Sequence, residues 1–266
     1  MPLIYETDGE VATFTIDNGK VNPLNPEIHK QLYKALDMFQ RDRSLKIGIL
    51  TAKGDRAFSA GDDLKTRRKP LEGDDRVMRH FYPHTNEDDE PNYPGWEREV
   101  LRMKRFKPII GAVKGWCLGQ GMIYLLHLTD MRIAGKTAKF GLPEIAYGMG
   151  GAAGMARIYR HLPRVEAMKL VLTGDAIEAN EALRINLVNE VVDDAEVLDR
   201  AKALAARVTR HPLMAIRTEM EVFVRCEDLD SDNAYALTDH MFRLQRVVST
   251  TQNWDVDFQK KGVKGG

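Results

Sequence analysis

The sequence predicts an α/β protein, because short apolar runs alternate with helical patterns along most of its 266 residues. Three of the runs, Ile47–Ala52, residues 108–113 and Met131–Gly135, have the length and composition of buried parallel strands. Beyond the last strand pattern only helical patterns follow. We therefore expect an α/β core over residues 1–195 and a C-terminal helical segment over residues 196–266.

The N-terminal region predicts a strand followed by a helix. Residues 11–17 alternate between apolar and polar side chains, which is typical of a half-buried strand. Asn25 is a suitable N-cap for a helix that begins at Pro26, and Glu27 is favoured in its first turn. The apolar stripe of this helix consists of Ile28, Leu32, Leu36 and Phe39.

A long polar stretch, residues 66–96, separates two parts of the core pattern. It predicts a loop with one short helix, and such a loop either shapes a functional site or is a solvated insertion. Residues 187–193 predict the last strand. After it, Pro212 ends one helix, and further helices are expected over Leu213–Cys226 and residues 232–248. The apolar face of the helix that ends before Pro212 consists of Val197, Ala201, Leu204 and Val208.

The composition predicts a soluble cytoplasmic protein without nucleic-acid or membrane partners. Lys plus Arg and Asp plus Glu number 39 each, which gives no broad basic surface for nucleic acid. No apolar run is long enough to span a bilayer, and the N-terminal residues lack the pattern of a secretory signal. The two cysteines, Cys117 and Cys226, are too few for a disulfide framework, and the seven histidines are scattered, so we expect no metal site.

Two glycine-bearing turns follow strand patterns and lead into helical patterns. The first lies in residues 57–65, AFSAGDDLK, and the second in residues 115–128, GWCLGQGMIYLLHL. Each turn taken alone is most simply an ordinary strand-to-helix connection. Two such turns that face each other expose backbone N–H groups beside a helix start, and they can hold an oxyanion between two donors.

Glu144 is the candidate functional acid, because it is a single carboxylate between Pro143 and Ile145. A stretch rich in glycine and alanine, residues 148–154, follows it. An ionised carboxylate among apolar groups is costly, so we expect Glu144 to be either paired or used in chemistry.

The chain resembles the crotonase, or enoyl-CoA hydratase/isomerase, superfamily in four segments that occur in the same order: AFSAGDDLK, KPIIGAVKGWCLGQG, TDMRIAGKTAKFGLPEI and LVLTGDAIEANEALRINLVNEVV. The resemblance covers nearly the whole chain. It implies a spiral of repeated ββα units with a C-terminal helical segment that assembles homotrimers or hexamers. It also implies an acyl-CoA substrate, no separate cofactor, and a thioester enolate held between two backbone N–H groups.

The resemblance also implies roles for single residues. The oxyanion donors are the N–H groups of Asp62 and of Gln120, or of Gly121 if the second turn is shifted by one residue. Glu144 falls on the family's glutamate in F-G-x-P-E, a group that gives and takes a proton and is suited to this by a raised pKa. The residues implied in substrate or CoA binding are Ala60, Asp63, Leu64, Lys65, Tyr124, Phe258 and Lys261.

The chain departs from the family at the second glutamate of its hydratases, where Ile123 or Tyr124 stands, depending on how one extra residue before Asp130 is counted. With Glu144 alone, one-acid chemistry fits a double-bond isomerase, and a specialised hydratase, decarboxylase or C–C hydrolase stays open. Tyr124 either hydrogen-bonds substrate or water or fills the pocket, and an acid of the 66–96 loop is another replacement. A catalytically inactive CoA-binding or scaffold protein is the alternative of a different class.

Overall fold

The structure, a computed structural model, describes residues 2–66, 73–78, 81, 95–150 and 155–251. Most of the polar stretch 66–96 lies outside these residues, so its predicted role is not tested. No helix in the described part of the chain has the length and apolar character needed to cross a bilayer.

The secondary structure alternates between strands and helices up to residue 192. The strands are β1 (Leu3–Asp8), β2 (Val11–Ile16), β3 (Ile47–Ala52), β4 (Ala57–Ser59), β5 (Ile109–Val113), β6 (Trp116–Leu118), β7 (Met131–Gly135), β8 (Lys139–Gly141), β9 (Ile177–Glu178) and β10 (Glu190–Val192). The helices are α1 (Pro26–Arg41), α2 (Asp75–Met78), α3 (Trp96–Arg102), α4 (Gln120–Leu128), α5 (Arg164–Thr173), α6 (Ala179–Arg184), α7 (Val197–Thr209), α8 (Leu213–Cys226) and α9 (Ser231–Thr251). Short 3-10 helices occupy Pro143–Tyr147, Met155–Arg160 and Asp194–Glu196.

The larger sheet has the strand order β1-β2-β3-β5-β7-β10. Only the β1–β2 pair is antiparallel, and all other neighbours in this sheet are parallel. The apolar runs that predicted parallel strands become β3, β5 and β7, which lie next to one another in the sheet. The α/β prediction is therefore confirmed, whereas β1 was not predicted.

Helix α1 forms as the sequence predicted, because both its start signal and its apolar stripe are local. The side chain of Asn25 accepts a hydrogen bond from the Ile28 N–H at 2.9 Å, and Pro26 occupies the first turn. The predicted stripe is buried, and the Phe39 ring meets the Phe14 ring of β2 edge-on at 5.6 Å. His29 is also buried on this helix, although no role was predicted for it from the sequence.

The smaller sheet has the strand order β4-β6-β8-β9. Each of its first three strands directly follows a strand of the larger sheet, since β4 follows β3, β6 follows β5 and β8 follows β7. Helical structure follows each of these strand pairs, so the structure confirms the expected spiral of ββα units. Because β4 pairs in parallel with β6, the turns that leave these two strands lie side by side.

The last strand is shorter than predicted. Residues 187–193 were expected to form it, but β10 covers only Glu190–Val192. The N–H groups of Leu187 and Val188 donate to Ala182 O at the end of α6 instead, at 2.8 and 3.4 Å. Their side chains are buried in the core, so their apolar character reflects packing rather than strand pairing.

The chain divides into two compact units, of which the first comprises residues 1–104 and 108–210. Within it, α7 covers one face of the larger sheet. The buried side chains of this layer are Ile47, Ile49, Ile110, Ala112, Ile133, Val197, Ala201 and Ala205. The apolar face of α7 therefore completes the core of the first unit, and the boundary at residue 195 stays a prediction.

The second unit comprises residues 105–107 and 211–266. Its described part contains α8 and α9, which begin within one residue of their predicted positions. The guanidinium groups of Arg217 and Arg225 lie over the ring of Phe106, at 5.2 and 5.1 Å from the ring centre.

Candidate active site

The first glycine turn leaves β4 and is held on both sides of Asp62. The Leu24 N–H donates to Gly61 O at 2.8 Å, and the Asp63 N–H donates to Leu24 O at 2.8 Å. The Gly61 N–H donates to the Ser59 hydroxyl at 3.1 Å. Gly61 has a φ of +100°, which only glycine adopts readily. These contacts fix the backbone around the proposed Asp62 donor.

The second glycine turn leaves β6 and opens α4 at Gln120. The first N–H groups of a helix have no acceptor inside it, so they are available to a bound group. A Cβ atom built on Gly61 would lie 3.1 Å from Leu118 O and 3.4 Å from Gln120 N. The two turns are therefore in van der Waals contact, and the expectation that they face each other rests on this proximity.

Gly121, the alternative donor in the second turn, lies inside the protein. A Cβ atom built on it would approach the Ser59 Cβ to 2.6 Å. The first turn of α4 therefore packs on the end of β4 with no room for a side chain. This packing explains the glycine at position 121 without requiring that it act as a donor.

Glu144 lies where the two turns meet. It belongs to the 3-10 turn Pro143–Tyr147, which follows β8. A Cβ atom built on Gly119 would lie 3.0 Å from Glu144 Oε1 and 3.7 Å from Gly61 Cα. The topology of the smaller sheet thus brings together an acid and two turns that are separated by more than twenty residues each.

The environment of Glu144 disfavours its ionised form. The carboxyl group is half-buried, and loss of contact with water raises its pKa above the ordinary value. Its Oε2 atom is buried and has no hydrogen-bond partner in the part of the chain that the structure describes. The raised pKa agrees with the expectation from the sequence and suits a group that exchanges protons near neutral pH.

A chain of polar side chains extends from the first turn into the core. His29 of α1 places Nε2 at 3.1 Å from Asp62 Oδ1 and Nδ1 at 2.7 Å from the Tyr124 hydroxyl. The rings of His29 and Tyr124 meet edge-on at 5.6 Å. The sequence held a signal for His29, because it lies three residues before Leu32 and therefore on the buried face of α1.

The two positions that replace the second glutamate are both inside the core. Ile123 and Tyr124 are 2% and 1% exposed. The sequence left open whether Tyr124 contacts substrate or fills the pocket. Its burial and the engagement of its hydroxyl by His29 favour the second interpretation.

Several residues implied in CoA binding lie in or near the first turn. Ala60, Leu64 and Lys65 are exposed. Asp63 closes the turn, because its carboxylate accepts from the Thr66 hydroxyl at 2.7 Å and from the Lys65 N–H at 3.0 Å. These hydrogen bonds lower the pKa of Asp63. Their contact with CoA stays a prediction. Phe258 and Lys261, implied at the nucleotide end, lie outside the described residues.

Cys117 of β6 is a buried free thiol. It is fully buried, and removal from water raises its pKa far above the ordinary value. Since the thiolate is the reactive form, the burial of Cys117 favours a structural role over a nucleophilic one.

The chain belongs to the enoyl-CoA hydratase/isomerase family, within the crotonase superfamily, because the model of that family matches residues 6–256. Among its relatives, the (E)-benzylidenesuccinyl-CoA hydratase of Thauera aromatica is 29% identical over 99% of this chain and 95% of its own length. The short-chain-enoyl-CoA hydratase of Clostridium acetobutylicum is 30% identical over 90% of this chain and 87% of its own. The crystal structure of an enoyl-CoA hydratase/isomerase from Mycobacterium paratuberculosis matches with a TM-score of 0.78 at 25% identity, over 98% of this chain and 96% of that one.

Proposed function

We propose that this protein is an enzyme that acts on an acyl-CoA thioester through a thioester enolate, with Glu144 as its proton-transfer residue. The observation that carries the proposal is the position of the Glu144 carboxyl, whose Oε1 lies against Gly119 where the two glycine turns touch. Membership of the family supports the acyl-CoA substrate.

The chemistry follows from charge placement. When Glu144 removes a proton from the carbon beside the thioester, the negative charge moves to the thioester oxygen. The backbone N–H groups of Asp62 and of Gln120 (or Gly121) donate to this oxygen in our proposal. Each such donor stabilises the enolate because it is fixed in place before the charge develops. Glu144 then returns the proton to the same carbon or to another.

With one retained acid, the reaction we propose is that of an enoyl-CoA isomerase or of an atypical hydratase. An isomerase needs only one group that carries a proton between two carbon atoms on one face of the substrate. The two relatives above are named as hydratases, which favours water addition with a different helper group. The alternative is a catalytically inactive CoA-binding protein, and the exchange experiment below distinguishes it from an enzyme.

The remaining parts of the proposal concern the molecule's setting. We propose a cytoplasmic enzyme that needs no cofactor besides the CoA of its substrate and that assembles as a homotrimer or hexamer. Contacts with CoA are proposed for the exposed side of the first turn and for the C-terminal region. The residues are Ala60, Asp63, Leu64, Lys65, Phe258 and Lys261.

The test is exchange of the protons beside the thioester in deuterated water, measured with a panel of saturated and unsaturated acyl-CoA esters. We expect exchange with the wild-type protein and a loss of about 10²-fold or more in Glu144→Gln, with affinity for a non-reactive acyl-CoA retained. The control is Glu6→Gln, which alters an exposed glutamate of β1 and should leave exchange unchanged. Undiminished exchange in Glu144→Gln would refute the assignment, and binding without any exchange would indicate the inactive alternative.

A further inference from the structure

The polar chain formed by Tyr124, His29 and Asp62 joins three elements that are distant in sequence. Tyr124 lies on α4, His29 on α1, and Asp62 in the first glycine turn. We propose that His29, supported by Tyr124, is a positioning residue that holds the Asp62 carboxylate away from the thioester oxygen. This inference rests on the proposed function, since Asp62 is there one of the two oxyanion donors.

The proton positions follow from the chemistry of the partners. An ionised Asp62 carboxylate can only accept a hydrogen bond, so His29 Nε2 carries the proton that it donates to Oδ1. In neutral His29 the Nδ1 atom is then an acceptor, and the Tyr124 hydroxyl donates to it at 2.7 Å. Tyr124 therefore selects the tautomer of His29 that can hold Asp62.

The burial of His29 indicates a role beyond packing. Its side chain is 0% exposed, whereas the Asp62 side chain is 33% exposed. A buried imidazole loses its contacts with water and is tolerated only when its nitrogens are satisfied by protein groups. One nitrogen of His29 is hydrogen-bonded to the carboxylate of Asp62, the residue that directly follows Gly61 in the first turn.

The electrostatic reason concerns the enolate. Asp62 supplies the backbone N–H in our proposal, but its own side chain carries a negative charge within a few bonds of that N–H. A carboxylate turned toward the thioester oxygen would repel the charge that develops there. The backbone of the turn is fixed by Leu24 and Ser59, and the hydrogen bond from His29 directs the Asp62 side chain.

The effect should fall on turnover rather than on substrate binding. The thioester oxygen is nearly neutral in the bound substrate and becomes negative only in the enolate. An interaction that matters mainly with the charged form changes kcat and leaves KM little altered. This pattern separates a positioning role from a general loss of structure.

The experiment compares His29→Gln with His29→Asn, two variants whose side-chain amide nitrogens replace different nitrogens of the imidazole ring. In His29→Gln the side-chain amide can extend to the place of Nε2 and still donate to Asp62. In His29→Asn it is shorter and reaches only the place of Nδ1. We expect His29→Gln to keep most of the exchange activity. We expect His29→Asn to lower kcat roughly 10- to 100-fold, the size of one hydrogen bond to a charged group, with KM little changed.

The decisive comparison places His29→Asn in an Asp62→Asn background, where no carboxylate remains to be held. There the loss caused by His29→Asn should shrink to about threefold or less. An equal loss in both backgrounds would show that His29 only packs, and would overturn the proposal. If wild type exchanges protons and Glu144→Gln does not, this outcome leaves the proposed function intact.

A second readout does not depend on turnover. The infrared stretch of a ¹³C-labelled thioester carbonyl in a bound acyl-CoA reports how strongly the turn donors polarise it. We expect a smaller shift to low wavenumber in Tyr124→Phe than in wild type, and this variant serves if His29→Asn fails to fold. An unchanged shift in Tyr124→Phe would overturn the proposal, and failure of wild type to bind any acyl-CoA would refute the proposed function as well.

Discussion

At the residue scale, Glu144 is held where its ionisation is unfavourable. Its Oε2 atom is buried with no hydrogen-bond partner among the described residues, and loss of water contact raises its pKa. Such a group destabilises the fold at neutral pH, and proteins commonly tolerate this cost where activity requires it. The same burial that makes Glu144 a suitable proton carrier should therefore be visible in the pH dependence of stability.

We predict that Glu144→Gln stabilises the protein at mildly alkaline pH. Because the folded-state pKa of Glu144 is raised, its contribution to stability is fully present below 4.5, the ordinary pKa of a glutamate, and is lost as pH rises through the folded-state value. Glutamine does not ionise and avoids this loss. At pH values above the folded-state pKa, we expect the Tm of Glu144→Gln to be about 2 °C higher than that of the wild type. Near pH 4.5 this difference in Tm should vanish.

Thermal unfolding at mildly alkaline pH and near pH 4.5 measures this effect, with Glu6→Gln as the control for removal of an exposed charge. The control should show no comparable change with pH. A Glu144→Gln variant with lower Tm than wild type at both pH values would contradict the prediction, because it would mean that the ionised carboxylate is stabilised by the fold.

At the element scale, helix α1 and strands β2, β3, β5 and β7 could be predicted from their local patterns, whereas β1, β4, β6 and β8 could not. Helix α1 has a capping residue and a complete apolar stripe, so its sequence determines it. Strands β4, β6 and β8 contain only three residues each. Three residues show no periodicity, and these strands exist because they pair with one another. The sequence predicted the turns after β4 and β6 from their glycines, but pairing places them together.

We predict that Gly119→Ala abolishes activity through the position of Glu144. A Cβ atom there would lie 3.0 Å from Glu144 Oε1, and Gly119 has a φ of +53° and a ψ of −127°. The substitution should strain the backbone by roughly 1–3 kcal/mol and move the carboxyl group. We expect proton exchange to fall by about 10²-fold or more, the loss that follows displacement of a proton-transfer group.

The matched control is Gly9→Ala in the β1–β2 hairpin. Gly9 has a φ of +55°, but a Cβ atom there would meet nothing within 4 Å. Gly9→Ala should therefore lower the free energy of unfolding by an amount similar to that of Gly119→Ala and leave proton exchange intact. Denaturant unfolding and exchange assays on both variants check this, and equal loss of activity in both would show that backbone strain rather than Glu144 is responsible.

At the scale of the whole molecule, the C-terminal helices present apolar side chains that the described part of one chain does not cover. On α8 and α9 the exposed side chains include Phe223 at 82%, Tyr235 at 73% and Phe242 at 61%. Scattered exposed apolar residues are ordinary, but a concentration of aromatic rings on adjacent helices is typical of an interface. This supports the proposed homotrimer or hexamer.

We predict a particle of three or six times the 30.1 kDa chain mass in light scattering at micromolar concentration. Phe223→Ser should shift it toward smaller species by removing an aromatic anchor. Glu219→Ser changes an exposed residue one turn earlier on α8 and should leave the mass unchanged. A monomeric wild-type protein would refute the assembly, and an unchanged mass in Phe223→Ser would exclude this residue from the interface.

The sequence by itself determined the α/β class, the main helices and strands, the membership of the family through its motifs, and Glu144 as the acid of interest. These are recorded locally, in periodicity, capping residues, glycines and a carboxylate among apolar neighbours. Only the tertiary structure brought Glu144, Gly119 and Gly61 into contact, because pairing of the short strands joins segments that lie far apart along the chain. It also decided that Tyr124 reaches His29 and that His29 reaches Asp62, since a hydrogen bond between distant side chains leaves no periodic trace in the sequence.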